Sequence, residues 1–411
     1  MSLFFRDTTN STTVTWDDLI HDIASTQTYN RFCFKTDFYQ ILKHIIVSLL
    51  CSEEIILLDN DFTEDELISL VGSADIGCHE RPIDKKIFSD IKSKVDLLQK
   101  LQPPIENWSI TMFTSGTTGL PKKVSHSFQS ITRFVRVSER NISHVWGFAY
   151  NPTHIAGTQV FFQALLNGNA IVRLFGLSKD EIYKEIEDFG ITNISATPTF
   201  YRLMLPADKA YPSVVRITSG GEKFDEKATG QITKIFPNAK ITNVYASTEA
   251  GSLFASDGNV FSIKPEMLPM VKIENDELLV HNSLMGMSEI NHGEWYKTGD
   301  LIKIISEDPL KFIFISRKNE MINVGGYKVN PHEVEEAIRS MQGIKDVRVF
   351  AKRNSVLGNI ICCDIVKIDE SMDEPTIRTY LQTRLQEFKI PRMLKFVDEL
   401  SMTRTGKIKR N

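Results

Sequence analysis

The sequence predicts an α/β protein. A large N-terminal domain of mostly parallel sheets carries a small barrel-like β region, and a small α+β C-terminal domain follows. Three observations support this. Strand and helix patterns alternate from residue 38 to residue 248, the order that builds a parallel sheet with ligands at the strand C-ends. From about residue 260 short strands follow one another, as in hairpins. After Arg317 the order changes to helix, two strands and helix, with a loose basic end.

Each element has a local reason. FYQILKHIIVSLLC, residues 38–51, spaces its apolar side chains for a helix, and EEIILLDN, 53–60, reads as a strand. TEDELISLVG, 63–72, is a capped helix. WSITMFTS, 108–115, is a short strand running into a Gly-rich loop. NAIVRLF, 169–175, is a strand, and SKDEIYKEIEDFG, 178–190, is a helix opened by Ser178 and closed by Gly190. ITNISATP (191–198), VVRITSGGE (214–222) and AKITNVYAST (239–248) are strands, with the helix EKATGQITKIFP (226–237) between the last two. VKIENDELLVHN (271–282), WYKTGDLIKIIS (295–306) and KFIFISR (311–317) suggest hairpins forming a small barrel or antiparallel sheet. In the tail, PHEVEEAIRSM (331–341) is a helix, VRVFAKRN (347–354) and NIICCDIVKI (359–368) are strands, and EPTIRTYLQTRLQEF (374–388) is a helix.

Bulk properties narrow the class. The 411 residues suffice for two or three domains, and 42% apolar with 24% charged is ordinary globular composition. A net charge of −4 argues against a dedicated nucleic-acid binder. The five cysteines (Cys33, Cys51, Cys78, Cys362, Cys363) lie at no metal-ligand spacing. With no signal-peptide pattern, they predict a reducing cytoplasm. Lys43, His44, Glu53 and Glu54 interrupt the apolar run 41–58, which is read as a helix and a strand and not as a membrane span.

TMFTSGTTGLPKK, residues 111–123, gathers four Thr, one Ser, two Gly and two Lys. A solvated turn is one reading. A loop that wraps phosphate oxygens with backbone N–H groups, hydroxyls and ammonium charge is the other. The spacing of Gly116, Gly119 and Lys122 does not match G-x-x-x-x-G-K-[ST]. Four further segments follow it. VYASTEAG, 244–251, puts a carboxylate beside a hydroxyl at a strand C-end, a pattern suited to Mg²⁺. WYKTGD, 295–300, sets Asp300 after a Gly turn, where it can accept from ribose hydroxyls. RKNEMINVGGYKVNPHEVE, 317–335, offers Arg317, a Gly-Gly pair and a Pro-started helix. TRTGKIKR, 403–410, carries Lys407 after Gly406. Singly, these read as ordinary caps, turns and tail.

All five in this order resemble the adenylate-forming superfamily of acyl-CoA synthetases, peptide-synthetase adenylation domains and luciferases, over roughly residues 111 to 410. The resemblance implies that Thr114, Ser115, Gly116, Thr117, Thr118, Gly119 and Lys122 bind the ATP β- and γ-phosphates. It implies that Gly220, Gly221 and Glu222 line the adenine and that Tyr245 stacks on it. Thr248 and Glu249 would sit at the α-phosphate, with Glu249 holding Mg²⁺. Asp300 and Arg317 would bind the ribose, and Lys407 would bridge substrate carboxylate and α-phosphate. The implied reaction is activation of a carboxylic acid to acyl-AMP with pyrophosphate release, then thioester formation with CoA or a phosphopantetheinyl carrier.

By the same resemblance, residues 1–316 form the ATP and carboxylate domain, 317–320 a hinge at Asn319, and 321–411 a mobile domain carrying the lysine. Gly325 and Gly326 would line a thiol tunnel. The stretch before the loop is shorter than is usual for the family, Ser316 stands where Gly is usual, and Asn319 stands where Asp or Lys is common. In NPTHIAGTQ, 151–159, His154 would gate the acyl pocket and count among the catalytic groups; the other reading is a packed histidine. A gate without an Asp suits an acid lacking an α-amine, an aryl or short to medium acyl acid. Pro331 favours CoA. Lys352, Arg353, Arg392 and Lys395 would meet the CoA 3′-phosphate or an acidic carrier, or are solvated charge. The expected protein is a cytoplasmic ligase, monomeric or homodimeric, using ATP, Mg²⁺ and CoA. Loading of an acyl or aryl carrier protein is the alternative. A degenerate protein that only binds nucleotide or acyl ligand is the alternative of another class.

Overall fold

The structure, a computed structural model, describes residues 2–60, 62–72, 76–102, 105–114, 122–221, 226–288, 293–324, 327–354, 358–403 and 408. The chain opens with a hairpin, β1 (Leu3–Asp7) and β2 (Thr12–Thr15), and helix α1 (Trp16–Ser25). Thr15 and Asp18 close a capping box at its start. Next come β3 (Thr28–Tyr29), β4 (Phe32–Phe34), α2 (Phe38–Cys51), β5 (Ile55–Leu58), α3 (Glu64–Val71) and β6 (Arg81–Pro82). Then follow α4 (Lys94–Lys100), β7 (Ser109–Thr114), β8 (Lys122–Ser127) and α5 (Phe128–Thr132).

The alternating part runs β9 (Val145–Phe148), α6 (Ile155–Leu166), β10 (Ala170–Arg173), α7 (Lys179–Phe189), β11 (Asn193–Ala196), α8 (Pro198–Leu203), β12 (Arg216–Gly220), α9 (Glu226–Ile235) and β13 (Lys240–Ser247). Hairpin strands follow: β14 (Gly251–Asp257), β15 (Val260–Ser262), β16 (Val271–Glu274), β17 (Glu277–His281), β18 (Met287–Ser288), β19 (Trp295–Glu307) and β20 (Leu310–Arg317). The tail holds β21 (Ile322–Val324), β22 (Tyr327–Val329), α10 (Pro331–Arg339), β23 (Ile344–Asn354), β24 (Gly358–Lys367), α11 (Glu374–Gln382) and β25 (Met393–Phe396).

Among the described residues, thirteen strands join in the order β16-β17-β19-β20-β15-β14-β13-β12-β11-β9-β10-β1-β2. Strands β1 and β9 to β13 pair in parallel, and β14 then runs antiparallel to β13. The antiparallel hairpins expected after residue 260 are present, and they continue the parallel sheet. Strand β13 would otherwise be an open edge, and β14 satisfies its backbone groups. The N-terminal hairpin, which the sequence did not single out, closes the other end, with Phe5 beside Ile171.

A second sheet has the order β18-β8-β7-β5-β4. One core packs the two sheets together, and α6 lies within it. Phe161, Phe162 and Leu165 of this helix share the cluster with Leu42 and Ile45 of α2 and Ile110 and Met112 of β7. Helix α6 is apolar nearly all round, as a helix between two layers must be. The tail has its own core, in which Val334 and Ile338 of α10 and Ile377 and Leu381 of α11 cover Val347, Val349, Ile361 and Ile365. The last predicted helix is shorter than expected. It ends at Gln382, where Leu385 N bonds back to Leu381 O, and a separate short turn covers Glu387–Lys389.

Candidate active site

The turn Thr298-Gly299-Asp300 is built to bury a carboxylate. Gly299 has φ +74°, a left-handed conformation that side chains other than glycine resist. The Thr298 hydroxyl accepts from Asp300 N (3.0 Å) and donates to Leu278 O (2.7 Å). Gly299 N donates to Glu277 Oε1 (3.0 Å), and Gly299 O accepts from Lys318 N (2.7 Å). Pairing of β19 with β20 sets Arg317 opposite Asp300, and Arg317 Nε donates to Asp300 Oδ1 at 2.9 Å. The Tyr245 hydroxyl, at the end of β13, donates to Asp300 Oδ2. Asp300 is only 2% exposed. Burial raises its carboxyl above the usual range, and Arg317 and Tyr245 only partly oppose this. Burial and the neighbouring Asp300 charge push the Tyr245 phenol far up. Tyr245, Ser247, Glu249, Tyr296, Asp300 and Arg317 line one cavity.

The Thr248–Glu249 turn docks on the second sheet. His126 of β8 lies 2.7 Å through Nε2 from the Thr248 carbonyl, and 3.0 Å through Nδ1 from Ser130 Oγ. A carbonyl only accepts, so Nε2 carries the hydrogen and Nδ1 accepts from Ser130. Burial lowers the His126 pKa and keeps the ring neutral. Gly286 N donates to Glu249 O at 2.6 Å. A Cβ on Gly286 would lie 2.7 Å from His126 Cε1 and 2.9 Å from Ser125 O, so only glycine allows this approach. Thr114 and Lys122 are register partners in β7 and β8, the two ends of the predicted phosphate loop. Nothing local in the sequence marks His126 or Glu277, whose partners here lie 122 and 22 residues away.

Gly220 ends β12 and Gly221 follows it. A Cβ on Gly220 would lie 3.2 Å from Val244 O, and Gly221 has φ +83°. Ser219 and Asn243 are register partners one residue earlier. Strand alternation puts Asn243 on the face of Tyr245. Ser219 Oγ and Asn243 Oδ1 are buried and have no hydrogen-bond partner among the described residues. Such orphaned atoms beside an aromatic ring suit a polar heterocycle.

His154 stands apart from this cavity, as the N-cap of α6. Its Nε2 lies 3.5 Å from Asp59 Oδ2, and Asp59 Oδ1 accepts from the Thr153 hydroxyl and from Asn151 Nδ2 (3.3 Å). Asp59 follows β5, which pairs in parallel with β7. Asn319 sits in the turn after β20. Ser115, Gly116, Thr117, Thr118, Gly119, Glu222, Gly325, Gly326 and Lys407 lie outside the described residues. Among the described residues no group of three or more His, Cys, Asp or Glu could hold a metal ion, and Glu249 is a lone carboxylate on the cavity wall. One carboxylate with substrate phosphates and water is a usual Mg²⁺ donor set, so Glu249 fits that ion. Among the described residues no helix is long and apolar enough to cross a membrane.

A parallel sheet continued by hairpins, with a buried carboxylate, an arginine and a tyrosine converging where its strands end, defines an adenylate-forming enzyme. The chain belongs to that class: residues 41–275 match the family described as AMP-binding enzyme, and residues 333–407 match the AMP-binding enzyme C-terminal domain. It is similar to a 2-succinylbenzoate–CoA ligase of Listeria monocytogenes serotype 4b (strain F2365), 26% identical over 344 residues, covering 75% of this chain and 71% of that protein. A 2-succinylbenzoate–CoA ligase of Staphylococcus epidermidis (strain ATCC 35984) is 22% identical over 452 residues, with 98% and 93% covered. Among solved structures, ATP-bound MatB from Rhodopseudomonas palustris superposes with a TM-score of 0.76 at 17% identity, covering 99% of this chain and 94% of that one. The o-succinylbenzoate CoA synthetase (MenE) of Bacillus subtilis, in complex with its acyl-adenylate intermediate, gives 0.70 at 19% identity, with 99% and 94% covered. At these identities the solved structures speak for the fold.

Proposed function

We propose that this protein activates a carboxylic acid with ATP and transfers the acyl group to the thiol of CoA. The observation that carries the reading is Asp300. It is a buried carboxylate, held by Tyr245 and Arg317 on the wall of a cavity shared with Glu249, in a chain of the AMP-binding family. Each oxygen of Asp300 accepts one described bond and keeps a lone pair, enough for the two hydroxyls of a ribose. Asn243 and Ser219 would meet the adenine edge near Gly220, Gly221 and Glu222. Thr114 to Gly119 and Lys122 would hold the β- and γ-phosphates.

In the first step a carboxylate oxygen of the acid attacks the α-phosphorus. The bond from that phosphorus to the α–β bridging oxygen breaks, and pyrophosphate leaves. The acid is already ionised at neutral pH, so no base is required. Lys407 and Thr248 would stabilise charge on the phosphoryl oxygens, and Glu249 would hold Mg²⁺, which when bound neutralises phosphate charge. In the second step the thiol sulfur attacks the acyl carbon, AMP leaves, and the thiol proton passes to solvent. Between steps, residues 321–411 would turn about Asn319 on the 317–320 hinge, removing Lys407 and bringing Gly325 and Gly326 to the thiol. The acid is an aryl or short to medium acyl acid, with His154 at its pocket. The CoA-ligase names of the relatives favour CoA over a carrier protein. The protein works in the cytoplasm as a monomer or homodimer.

Carboxylate-dependent ATP–pyrophosphate exchange over a panel of aryl, short, medium, long and amino acids tests this, followed by product analysis with CoA. Exchange with a non-amino acid, abolished in Lys407→Ala, and a CoA thioester are expected. Exchange with amino acids only, or ATP binding without exchange for any acid, would sink the reading.

A further inference from the structure

A run of charged side chains crosses from the tail to the body of the protein. Glu320 Oε2, in the turn after Arg317, lies 3.1 Å from His332 Nε2, and His332 Nδ1 lies 3.5 Å from Glu335 Oε2. Arg339 reaches Glu335 Oε2 (3.4 Å) through Nη2 and Asp346 Oδ1 (2.7 Å) through Nε. The other oxygen of Asp346 lies 3.2 Å from Arg202 Nε in α8, and Arg202 Nη2 donates to Thr199 Oγ1 at 2.8 Å. Lys227 of α9 adds bonds to Arg339 O (2.8 Å) and Met341 O (3.0 Å).

The join between the two parts is polar at this point. The apolar residues near α8, Tyr201 and Met204, pack into the core of the parallel strands, whereas Val334, Ile338 and Val347 pack into the tail's own core. Arg202 and Asp346 are nevertheless well buried, with side chains 9% and 14% exposed. Burial alone would raise the Asp346 carboxyl; Arg202 and Arg339 overcome it and hold the group below the usual range. A buried pair of this kind adds little net stability, yet losing either partner leaves the other charge buried with fewer partners: Asp346 keeps Arg339 within the tail and loses its link to α8. That asymmetry makes it an orientation device. Only the arginine fork serves Asp346 and Thr199 together.

We propose that Arg202 and Asp346 form a latch between helix α8 and the C-terminal part, closed in one pose of that part and open in the other, which sets the balance between the two half-reactions. The latch rests on the two-step reading above. Arg202 acts through α8 and the tail and is a positioning residue. The test compares wild type with Arg202→Ala, Asp346→Asn, their double variant and Arg202→Lys. Three readouts are taken: ATP–pyrophosphate exchange, thioester formation from the acyl-adenylate, and small-angle X-ray scattering, which needs no turnover. Each single variant is expected to change the ratio of the two half-reaction rates by about tenfold and to broaden the scattering profile, with the double variant no worse than either single. Arg202→Lys, which keeps the charge and loses the fork, should fall between, and it stands in if the alanine variant fails to fold. A ratio unchanged within twofold, or additive effects in the double variant, overturns the latch. If wild type shows neither half-reaction, the functional reading fails, and the scattering of the single variants alone then decides: a profile unchanged from wild type overturns the latch.

Discussion

At the scale of single residues, Asp300 and His126 carry opposite electrostatic loads. Asp300 is a charge kept in a dry place, so its carboxyl titrates above the usual range. The unfolded chain holds the proton less tightly than the fold does, so ionised Asp300 costs stability at neutral pH, and that cost is relieved as pH falls. Binding runs the other way, because a protonated carboxyl is a poor acceptor for ribose. ATP affinity should therefore fall on acidification at a pH above the ordinary carboxylate value of 3.8. Asp300→Asn keeps the shape and removes the charge. It should raise the Kd for ATP by about 10- to 100-fold. Calorimetric ATP titrations between pH 7 and 4 check both, and a flat profile with an unaltered Asn variant would refute the ribose role. His126→Ala leaves the Thr248 carbonyl without its donor and opens a hole beside Gly286. It should destabilise the fold by about 2–3 kcal/mol in urea unfolding. Asp300 was legible, since a Gly turn before an acid is a local pattern. His126 was not, because its partner is 122 residues away.

At the scale of elements, α6 is the piece that cannot move. A Cβ on Gly157 would lie 2.2 Å from Asn151 O and 3.2 Å from Pro152 Cα, both backbone atoms. Gly157→Ala should push the first turn of α6 off residues 151–154, disturb the His154–Asp59 pair and destabilise by about 1–3 kcal/mol. Gly230 in α9 has nothing within 4 Å of such a Cβ. Gly230→Ala should stabilise by about 0.5–1 kcal/mol. Thermal unfolding of the two variants should move in opposite directions; a shared direction would refute the packing argument. Helix α7, with its Ser178 and Glu181 capping box and Gly190 at φ +57°, has the bounds the sequence predicted, because caps are written within a few residues. Strands β1 and β2 carry no strong local pattern: β1 is fixed by β10, far along the chain, and β2 by its pairing with β1.

For the whole molecule, neutral histidines, His126 buried and His44 partly buried, contribute to acid sensitivity. Burial pushes His44 down to about 4, and His126 is lowered for the same reason. The unfolded chain protonates these rings near pH 6.5 and the fold does not, so their contribution is full above that value and is lost as pH falls toward 4. Unfolding free energy should drop by a few kcal/mol from pH 7 to 4.5, on the order of one pKa unit per 1.4 kcal/mol. His44→Gln should make the slope shallower. Urea midpoints at five pH values measure it, and an unchanged midpoint would refute the assignment.

By itself the sequence determined the periods, the caps and the glycine turns, and therefore the α/β class, many of the elements and the motif that ends in Asp300. These are short-range facts, set by which side chains lie one turn or two residues apart. Tertiary structure alone decided that the hairpins extend the parallel sheet, that Tyr245 and Arg317 both reach Asp300, that His126 holds Thr248, and that Arg202 meets Asp346. Such contacts join residues 17 to 144 positions apart. They exist because burying the apolar faces leaves only one arrangement in which the remaining polar groups find partners.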